Sequence, residues 1–219
     1  MLLAIEATDR GGSVALADGD DLLELEYEYS ERTHSERLMP CIDRVLDRRS
    51  IDYSDLDTIA VCQGPGSFTA IRIGVTTAKT LAMACDARLA AFTVHRCIVE
   101  WARGCNNKVY VVVDARRGEL YLQSFRYVSG ECQAQSDLQL MEPGELLEEC
   151  NGEGELLLMS RDREWATDEL DWPENVTIYP DSLIRPLAVS LHELASRGLG
   201  YQNVDDVSPV YVRESDARS

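Results

Sequence analysis

The segment CQGPGSFTAIRIG, residues 62–74, constrains the fold more than any other part of the chain. It follows the apolar run DTIAVC, which predicts a buried strand, and it begins a long apolar helix. Its glycines are typical of a phosphate-binding loop, but it lacks the lysine of such a loop, and its proline removes an amide that a phosphate would use. We therefore predict a tight strand-to-helix turn that ends in the N-cap of the helix: Gly64, Pro65, Gly66 and Ser67.

The helix predicted from residue 67 to residue 85 has apolar side chains around most of its circumference. Its polar residues share one narrow face: Arg72, Thr76 and Lys79. A helix with this pattern is buried on two sides, by its own sheet and by a second element. The pattern leaves two interpretations open, because the second element can belong to the same domain or to another protein. Small residues favour the close approach of another helix: Ala70, Gly74 and Ala78.

The order of the predicted elements is that of a mixed α/β protein whose pattern starts twice. Three strands precede a helix, a strand, the helix described above, a strand and a helix, and a hairpin around residues 116–118 then begins a second sheet. We predict an N-terminal subdomain of residues 1–104, completed by the C-terminal helix and tail at about 186–219, and a smaller subdomain of residues 105–185. A strand near a sheet edge is predicted by the alternation in LLELEYEYS, and Thr33 with Glu36 predicts a capping box.

The net charge of −18 excludes a function in which the chain alone binds nucleic acid strongly. A surface with 39 acidic and 21 basic residues repels polyanions, and no basic cluster is present to neutralise phosphates. The start of the chain lacks the basic region of a signal peptide, and no apolar run reaches membrane-spanning length. The seven cysteines form no CxxC pair. These features predict a cytoplasmic protein with reduced, mostly buried cysteines and no membrane contact.

Five blocks spread over the chain resemble the bacterial TsaB (YeaZ) family: LLAIEAT, RTHSERLMP, CQGPGSFTAIRIGVTTAKTLA, VVVDARRGELY and PVYVR. The resemblance implies a two-lobed α/β fold of the actin and sugar-kinase (ASKHA) class, with ribonuclease H-like mixed sheets flanked by helices. It also implies a noncatalytic role beside the catalytic subunit TsaD and the ATPase TsaE, which add threonylcarbamoyl to the adenosine next to the anticodon of tRNA. A small-molecule kinase or ATPase of the same fold is the alternative, and a metalloprotease-like relative is a third interpretation.

The metal site of the catalytic relatives is incomplete in this chain. Those relatives bind a metal through two histidines four residues apart, whereas His95 is followed at that spacing by Val99. The other histidines, His34 and His192, are interpreted as surface or capping side chains. We therefore expect no metal, and no residue gains a catalytic role.

The second hairpin is the place where the superfamily would hold a nucleotide. This chain has two bulky arginines there, where backbone must approach a phosphate, so we expect no cofactor on the chain alone and ATP or ADP only at the interface of a complex. The candidates for a nucleotide contact are Asp114 and Arg116.

The resemblance also implies where a partner binds. In the TsaB family, the helices that match residues 35–49 and 67–85 pack against their equivalents in the catalytic subunit. We predict that six residues are buried in or around that contact: Leu38, Met39, Ile42, Arg72, Thr76 and Lys79. We expect the isolated chain to form a homodimer through the same face, and the terminal PVYV run to dock on the domain.

Overall fold

The computed structural model describes residues 1–9, 11–29, 34–151, 154–160, 171–180 and 183–212. The chain divides into two compact units, the first containing Met1–Cys97 and Arg185–Tyr211 and the second containing Ile98–Ile184. The first boundary falls earlier than residue 104 because side chains of the second unit bind the segment after Cys97. Tyr127 and Tyr179 donate hydrogen bonds to the carbonyls of Val99 and Trp101.

The elements of the described residues are numbered here in chain order. The α-helices are α1 (His34–Asp47), α2 (Phe68–Ala84), α3 (Val94–Val99), α4 (Pro143–Cys150) and α5 (Leu187–Ser196). The strands are β1 (Leu2–Glu6), β2 (Gly11–Asp18), β3 (Asp21–Tyr29), β4 (Thr58–Cys62), β5 (Arg88–Phe92), β6 (Lys108–Asp114), β7 (Leu120–Val128), β8 (Glu131–Ala134), β9 (Gln139–Met141), β10 (Leu156–Met159), β11 (Val176–Ile178) and β12 (Tyr201–Gln202). Short 3-10 helices lie at Tyr53–Asp55 and Glu100–Ala102.

The sheet of the first unit has the strand order β12-β5-β4-β1-β2-β3. The strands β1, β4 and β5 are parallel to one another, while β2 pairs antiparallel with both β1 and β3. Every residue of β1 and β4 is buried, as the apolar runs predict for central strands. An antiparallel meander followed by parallel strands is the ribonuclease H-like arrangement that the sequence predicts.

Helices cover both faces of this sheet. Leu3 and Ile5 of β1 pack in one cluster with Ile42 of α1 and Ile71 of α2. Because successive side chains of a strand point to opposite faces, Leu2 and Ala4 face the side on which α5 contacts the sheet. The core of the first unit is therefore completed by α5, which comes from the C-terminal part of the chain.

Two of the six residues predicted in or around a partner contact belong to the core of the free chain. Leu38 is 5% exposed and Ile42 is fully buried, because α1 lies over β2 and β3 and needs these side chains to cover its own sheet. The small residues of α2 are also used internally, since Gly74 lies against Ala7 of the segment after β1. Met39 is also on α1, but it differs from Leu38 and Ile42 because 39% of it is exposed.

The strand β3 is the edge of the sheet, as its alternation predicts, and its Glu24 and Glu26 carboxylates pair with arginines of α1 and of the turn that follows it. Arg48 Nη1 lies 2.9 Å from Glu26 Oε2, and Arg49 Nε lies 3.1 Å from Glu24 Oε2. Arg44 also pairs with Glu26. These ion pairs neutralise part of the acidic excess at the place where the sheet ends.

The second unit has its own sheet, in the order β11-β10-β6-β7-β8, with β9 paired to β7. The strands β6, β10 and β11 are parallel, and β6 forms an antiparallel hairpin with β7. Its core is formed by apolar side chains of these strands and of α4: Tyr110, Val112, Leu120, Leu122, Leu146 and Leu158. The chain therefore contains two mixed sheets flanked by helices.

Two expectations from the sequence, the cap of α1 and the absence of a membrane-spanning helix, can be compared only with the described residues. The hydroxyl predicted to cap α1 belongs to Thr33, which lies outside them, although α1 itself begins at the next residue, His34. Within the described residues, each helix is too short or too polar to span a bilayer.

The burial of Ile42 predicts a large effect of truncation on the stability of the free chain. Ile42→Ala removes buried methylene groups from a packed cluster, so we expect the free energy of unfolding to fall by about 2–5 kcal/mol. Met39→Ala, on the same helix, should change it by about 1 kcal/mol or less. Urea denaturation followed by circular dichroism measures both values, and equal effects of the two substitutions would contradict the placement of α1.

Candidate interaction surface

The turn between β4 and α2 is fixed by backbone contacts with the end of β1. The Ser67 amide donates a 2.8 Å hydrogen bond to the carbonyl of Thr8. Gly66 lies so close to Thr8 that a Cβ at this position would stand 2.1 Å from the same carbonyl oxygen. Gly64 has a φ of +105°, a backbone conformation that residues with a side chain rarely adopt, and the Gly64–Pro65 peptide is cis. The contact at Gly66 and the positive φ at Gly64 explain these two glycines, and the Ser67 bond places the start of α2 directly after the end of β1.

The same contacts leave little for a phosphate to bind. Pro65 has no backbone N–H to donate, and the Ser67 N–H already donates to the carbonyl of Thr8. Ser67 occupies the N-cap position of α2, but its side chain makes no capping hydrogen bond, which corrects the predicted role of its hydroxyl. Its carbonyl accepts the first bond of the helix, from the amide of Ile71. These bonds give the turn a structural role in the first unit.

The carboxylate at the end of β1 is occupied by neighbouring groups of the chain. Glu6 is 3% exposed, and its Oε1 accepts hydrogen bonds from the Thr8 amide at 2.8 Å and the Thr8 hydroxyl at 2.6 Å. The Ser13 hydroxyl lies 3.4 Å from Glu6 Oε2, and its oxygen accepts a bond from the Ala188 amide in the first turn of α5. This cluster joins β1, β2 and α5, so the buried charge is stabilised by donors of the fold itself.

An exposed stripe runs along α2, on the side opposite its buried residues. Its members are spaced by three and four residues and share one helical face, and together they are called the α2 stripe: Phe68, Arg72, Thr76, Lys79 and Met83. Phe68 is 38% exposed and Met83 is 72% exposed. Thr76 is also exposed, whereas Lys79 is half-buried because its Nζ donates a 2.9 Å bond to the carbonyl of Val207. The helical spacing predicted the polar members, and the same spacing could have identified Phe68 and Met83.

One end of the α2 stripe carries an ordered group of aromatic rings around an arginine. The ring centroids of Phe68 and Tyr211 are 4.9 Å apart. Arg72 Cζ lies 3.8 Å from the Phe68 centroid, and Arg72 Nε donates a 2.8 Å bond to the Tyr211 hydroxyl. Tyr211 reaches this position because the amide of Val210 donates a 2.7 Å bond to the carbonyl of Gln63. The terminal PVYV run thus reaches the turn before α2 as well as the stripe.

The nucleotide candidates of the second unit are engaged with each other. The Arg116 amide donates a 2.7 Å bond to Asp114 Oδ1, and its Nη1 lies 3.5 Å from Asp114 Oδ2. Arg116 and Arg117 have φ values of 63° and 60°, so two bulky residues adopt the left-handed conformation in this turn. The Asp114 carboxylate therefore stabilises the hairpin, and an amide that could face a phosphate is used inside it.

Within the described part of the chain, His95 and His192 lie apart from any cluster of metal ligands. Among the described residues, no group of three or more histidine, cysteine or acidic side chains could hold a metal ion. His95 is fully buried in α3. His192 is buried as well, which corrects its prediction as a surface or capping side chain, and its Nε2 lies 3.0 Å from the carbonyl of Gly19 because α5 packs over the β2–β3 turn.

The fold is that of a two-unit α/β protein of the ribonuclease H-like class, and its exposed feature is the α2 stripe. The family model described as "TsaD: tRNA N6-adenosine threonylcarbamoyltransferase" matches residues 28–168. A tRNA threonylcarbamoyladenosine biosynthesis protein TsaB from Bacillus subtilis is 33% identical over 129 residues, which cover 59% of this chain and 56% of that protein. The TsaB protein of Escherichia coli is 28% identical over 127 residues, which cover 57% of this chain and 54% of that protein.

The structural comparison extends over almost the whole chain. A solved structure described as YeaZ from Pseudomonas aeruginosa has a TM-score of 0.77 and 23% identity, and the match covers 96% of this chain and 98% of that one. The sequence matches span a little over half the length of the curated relatives. The chain belongs to the family that the TsaD model describes and, within it, to the TsaB/YeaZ group, which confirms the resemblance noted in the sequence.

The contact of Gly66 with Thr8 predicts that this glycine tolerates no side chain. Gly66→Ala places a Cβ against a backbone carbonyl, so we expect the free energy of unfolding to fall by about 3 kcal/mol or more. Gly144→Ala is the matched control, because a Cβ at Gly144 meets nothing within 4 Å and alanine favours the helix. Thermal unfolding of both variants measures the difference, and an unchanged Gly66→Ala protein would show that the turn is not seated on β1.

The buried cysteines predict selective alkylation of the native protein. Burial and the neighbouring Cys62 thiol raise the pKa of the Cys97 thiol well above its usual value, which lowers the fraction of reactive thiolate at pH 8. We expect iodoacetamide to leave Cys62 and Cys97 unmodified while it labels the half-buried Cys105 and Cys132. Peptide mass spectrometry after brief labelling measures this pattern. Labelling in urea is the control in which all sites react, and rapid native labelling of Cys97 would contradict its burial.

Proposed function

We propose that this chain is a noncatalytic subunit of the assembly that adds threonylcarbamoyl to the adenosine next to the anticodon of tRNA. In this proposal it binds and activates the catalytic paralogue TsaD, together with the ATPase TsaE, in the cytoplasm. Membership of the TsaB/YeaZ group supports the proposal, because the curated relatives are named tRNA threonylcarbamoyladenosine biosynthesis proteins.

The observation that carries the proposal is the α2 stripe. Most other apolar side chains of α1 and α2 are buried in the core, but the stripe presents Phe68 and Met83 at the spacing with which one helix packs on another. Met39 of the neighbouring α1 is also partly exposed. Four of the six predicted interface residues therefore stay in the proposed contact: Met39, Arg72, Thr76 and Lys79. The other two, Leu38 and Ile42, lie in the core beneath it.

A noncatalytic role is supported by the groups that the chain uses for itself. Glu6 is bonded to Thr8, and the Asp114 carboxylate is bonded to the amide of Arg116. In an actin-like or kinase-like enzyme, the corresponding strand ends and hairpin turns would face a nucleotide and its metal. We propose that the isolated chain needs no cofactor and that ATP or ADP, where present, binds only with the partner.

The charge of the chain bears on how tRNA is held. A net charge of −18 opposes the binding of a polyanion, so the proposal assigns the tRNA contacts to the partner. The exposed stripe also gives the chain a surface through which it forms a homodimer when the partner is absent.

The proposal predicts the outcome of a binding and activity experiment with the catalytic paralogue of the same organism. Phe68→Glu places a charge on the stripe and should weaken binding at least about tenfold, since central aromatic residues contribute most to interface energy. The free chain should keep its melting temperature, because a carboxylate is favourable in the first turn of a helix. The control is Val128→Glu, which adds the same charge to a 43% exposed residue of the second unit.

The measurements are calorimetric titration of the two proteins and mass spectrometry of the modified tRNA. We expect modification only when this chain and its paralogue are both present, with this chain alone inactive. Modified adenosine formed by this chain without the paralogue would refute a noncatalytic role, and full binding by Phe68→Glu would refute the assignment of the surface.

A further inference from the structure

Arg72 is held in a fixed position by the aromatic rings around it. Its guanidinium lies 3.8 Å from the Phe68 centroid and 5.8 Å from the Tyr211 centroid, while Nε is bonded to the Tyr211 hydroxyl. Stacking and this bond orient the plane of the guanidinium. The two remaining nitrogens, Nη1 and Nη2, are therefore presented to the surface without the freedom of an unsupported arginine.

Arg72 also lacks the partner that other arginines of this chain have. Arg44, Arg48 and Arg49 pair with carboxylates of β3, and Arg185 pairs with Glu193. Among the described residues, no carboxylate pairs with Arg72, although the chain has 39 acidic residues. The charged residues of α2 are Arg72 and Lys79, so this helix has no acidic side chain of its own.

We propose that Nη1 and Nη2 of Arg72 receive a carboxylate of the protein partner in a paired hydrogen-bonding geometry. This inference rests on the proposed function, because it names the chemistry that the partner brings to the α2 stripe. An oriented guanidinium matches the two oxygens of a carboxylate, and a charge pair enclosed by aromatic side chains is shielded from water. The partner surface is therefore acidic at the point that meets the first turns of α2.

The charge of the chain favours a protein carboxylate over the other anions that an arginine can bind. A nucleic acid would bring a row of phosphates to a chain of net charge −18, whereas an aspartate or glutamate on a partner helix brings one charge. A second copy of this chain can still meet the stripe in a homodimer, but its α2 fits Arg72 less well, because two copies of α2 facing each other would bring cations together without an acid of α2 between them.

Tyr211 acts on Arg72 as a positioning residue. It accepts the Nε bond and covers the Phe68 ring, and it is anchored through Val210 to Gln63. Without the hydroxyl, the guanidinium loses its orientation but keeps its charge. Tyr211→Phe should therefore weaken binding less than loss of the charge does, and it should leave the dependence on salt nearly unchanged.

The experiment is calorimetric titration of the full chain with its catalytic paralogue at three salt concentrations. Arg72→Gln should weaken binding by about 30-fold or more, as expected for one half of an enclosed charge pair, and should flatten the salt dependence. Arg72→Lys keeps the charge but loses the planar pairing, so its affinity should fall between those of wild type and Arg72→Gln. The control is Arg126→Gln, which makes the same charge change at an exposed arginine of the second unit and should bind like wild type.

Several results would overturn the inference. Equal affinities for Arg72→Gln and Arg126→Gln would remove it while leaving the proposed function intact, whereas a wild-type chain that does not bind the paralogue would refute the proposed function. Binding of inorganic phosphate by the free wild type and not by Arg72→Gln would assign the arginine to a phosphate instead. Loss of self-association in sedimentation of Arg72→Gln, with unchanged binding to the paralogue, would assign it to a second copy.

Discussion

The contact between Gly66 and the carbonyl of Thr8 determines how the first unit is assembled. It brings the turn after β4 against the end of β1, and the Ser67 amide then fixes the first turn of α2 on the same oxygen. Thr8 is held by Glu6, whose carboxylate also contacts Ser13, and Ser13 accepts a bond from the first turn of α5. A continuous set of hydrogen bonds therefore links the starts of α2 and α5, which lie on opposite faces of the sheet.

This arrangement affects what the carboxyl ends of the parallel strands can do. In open α/β sheets, ligands bind outside these ends, where helix N-termini and strand-end side chains are available. Here the Glu6 carboxylate and the Ser67 amide are bonded within the chain, and Gly66 leaves no gap against β1. These groups hold the helices in place. The features that remain free for recognition lie further along α2, on the side away from the sheet.

Local patterns predicted much of this structure because they depend on neighbouring residues. The sequence alone predicted three local features: the turn at Gly64–Gly66, the long helix after it, and the edge strand with alternating glutamates. The positions of Leu38 and Ile42 were not, because helical periodicity shows that a face is apolar and does not show whether the covering surface belongs to the same chain. The contact of Tyr211 with Arg72 joins residues 139 positions apart, so no local pattern could reveal it. The burial of His192 has the same cause, since its bond to Gly19 spans 173 positions.

The acidity of the chain makes its few uncompensated cations informative. Between like-charged proteins, long-range repulsion opposes association, and a face can bind only if its local charge differs from that of the whole surface. At the edge strand β3, Arg48 and Arg49 of the turn after α1 are engaged in intramolecular ion pairs and have less charge to offer to another molecule. Along α2 the opposite holds, because the helix has no acidic residue and its arginine is oriented by two aromatic rings. Helix spacing, aromatic area and local charge therefore coincide on one surface of the described residues, and this coincidence is the reason to propose α2 for a specific protein contact.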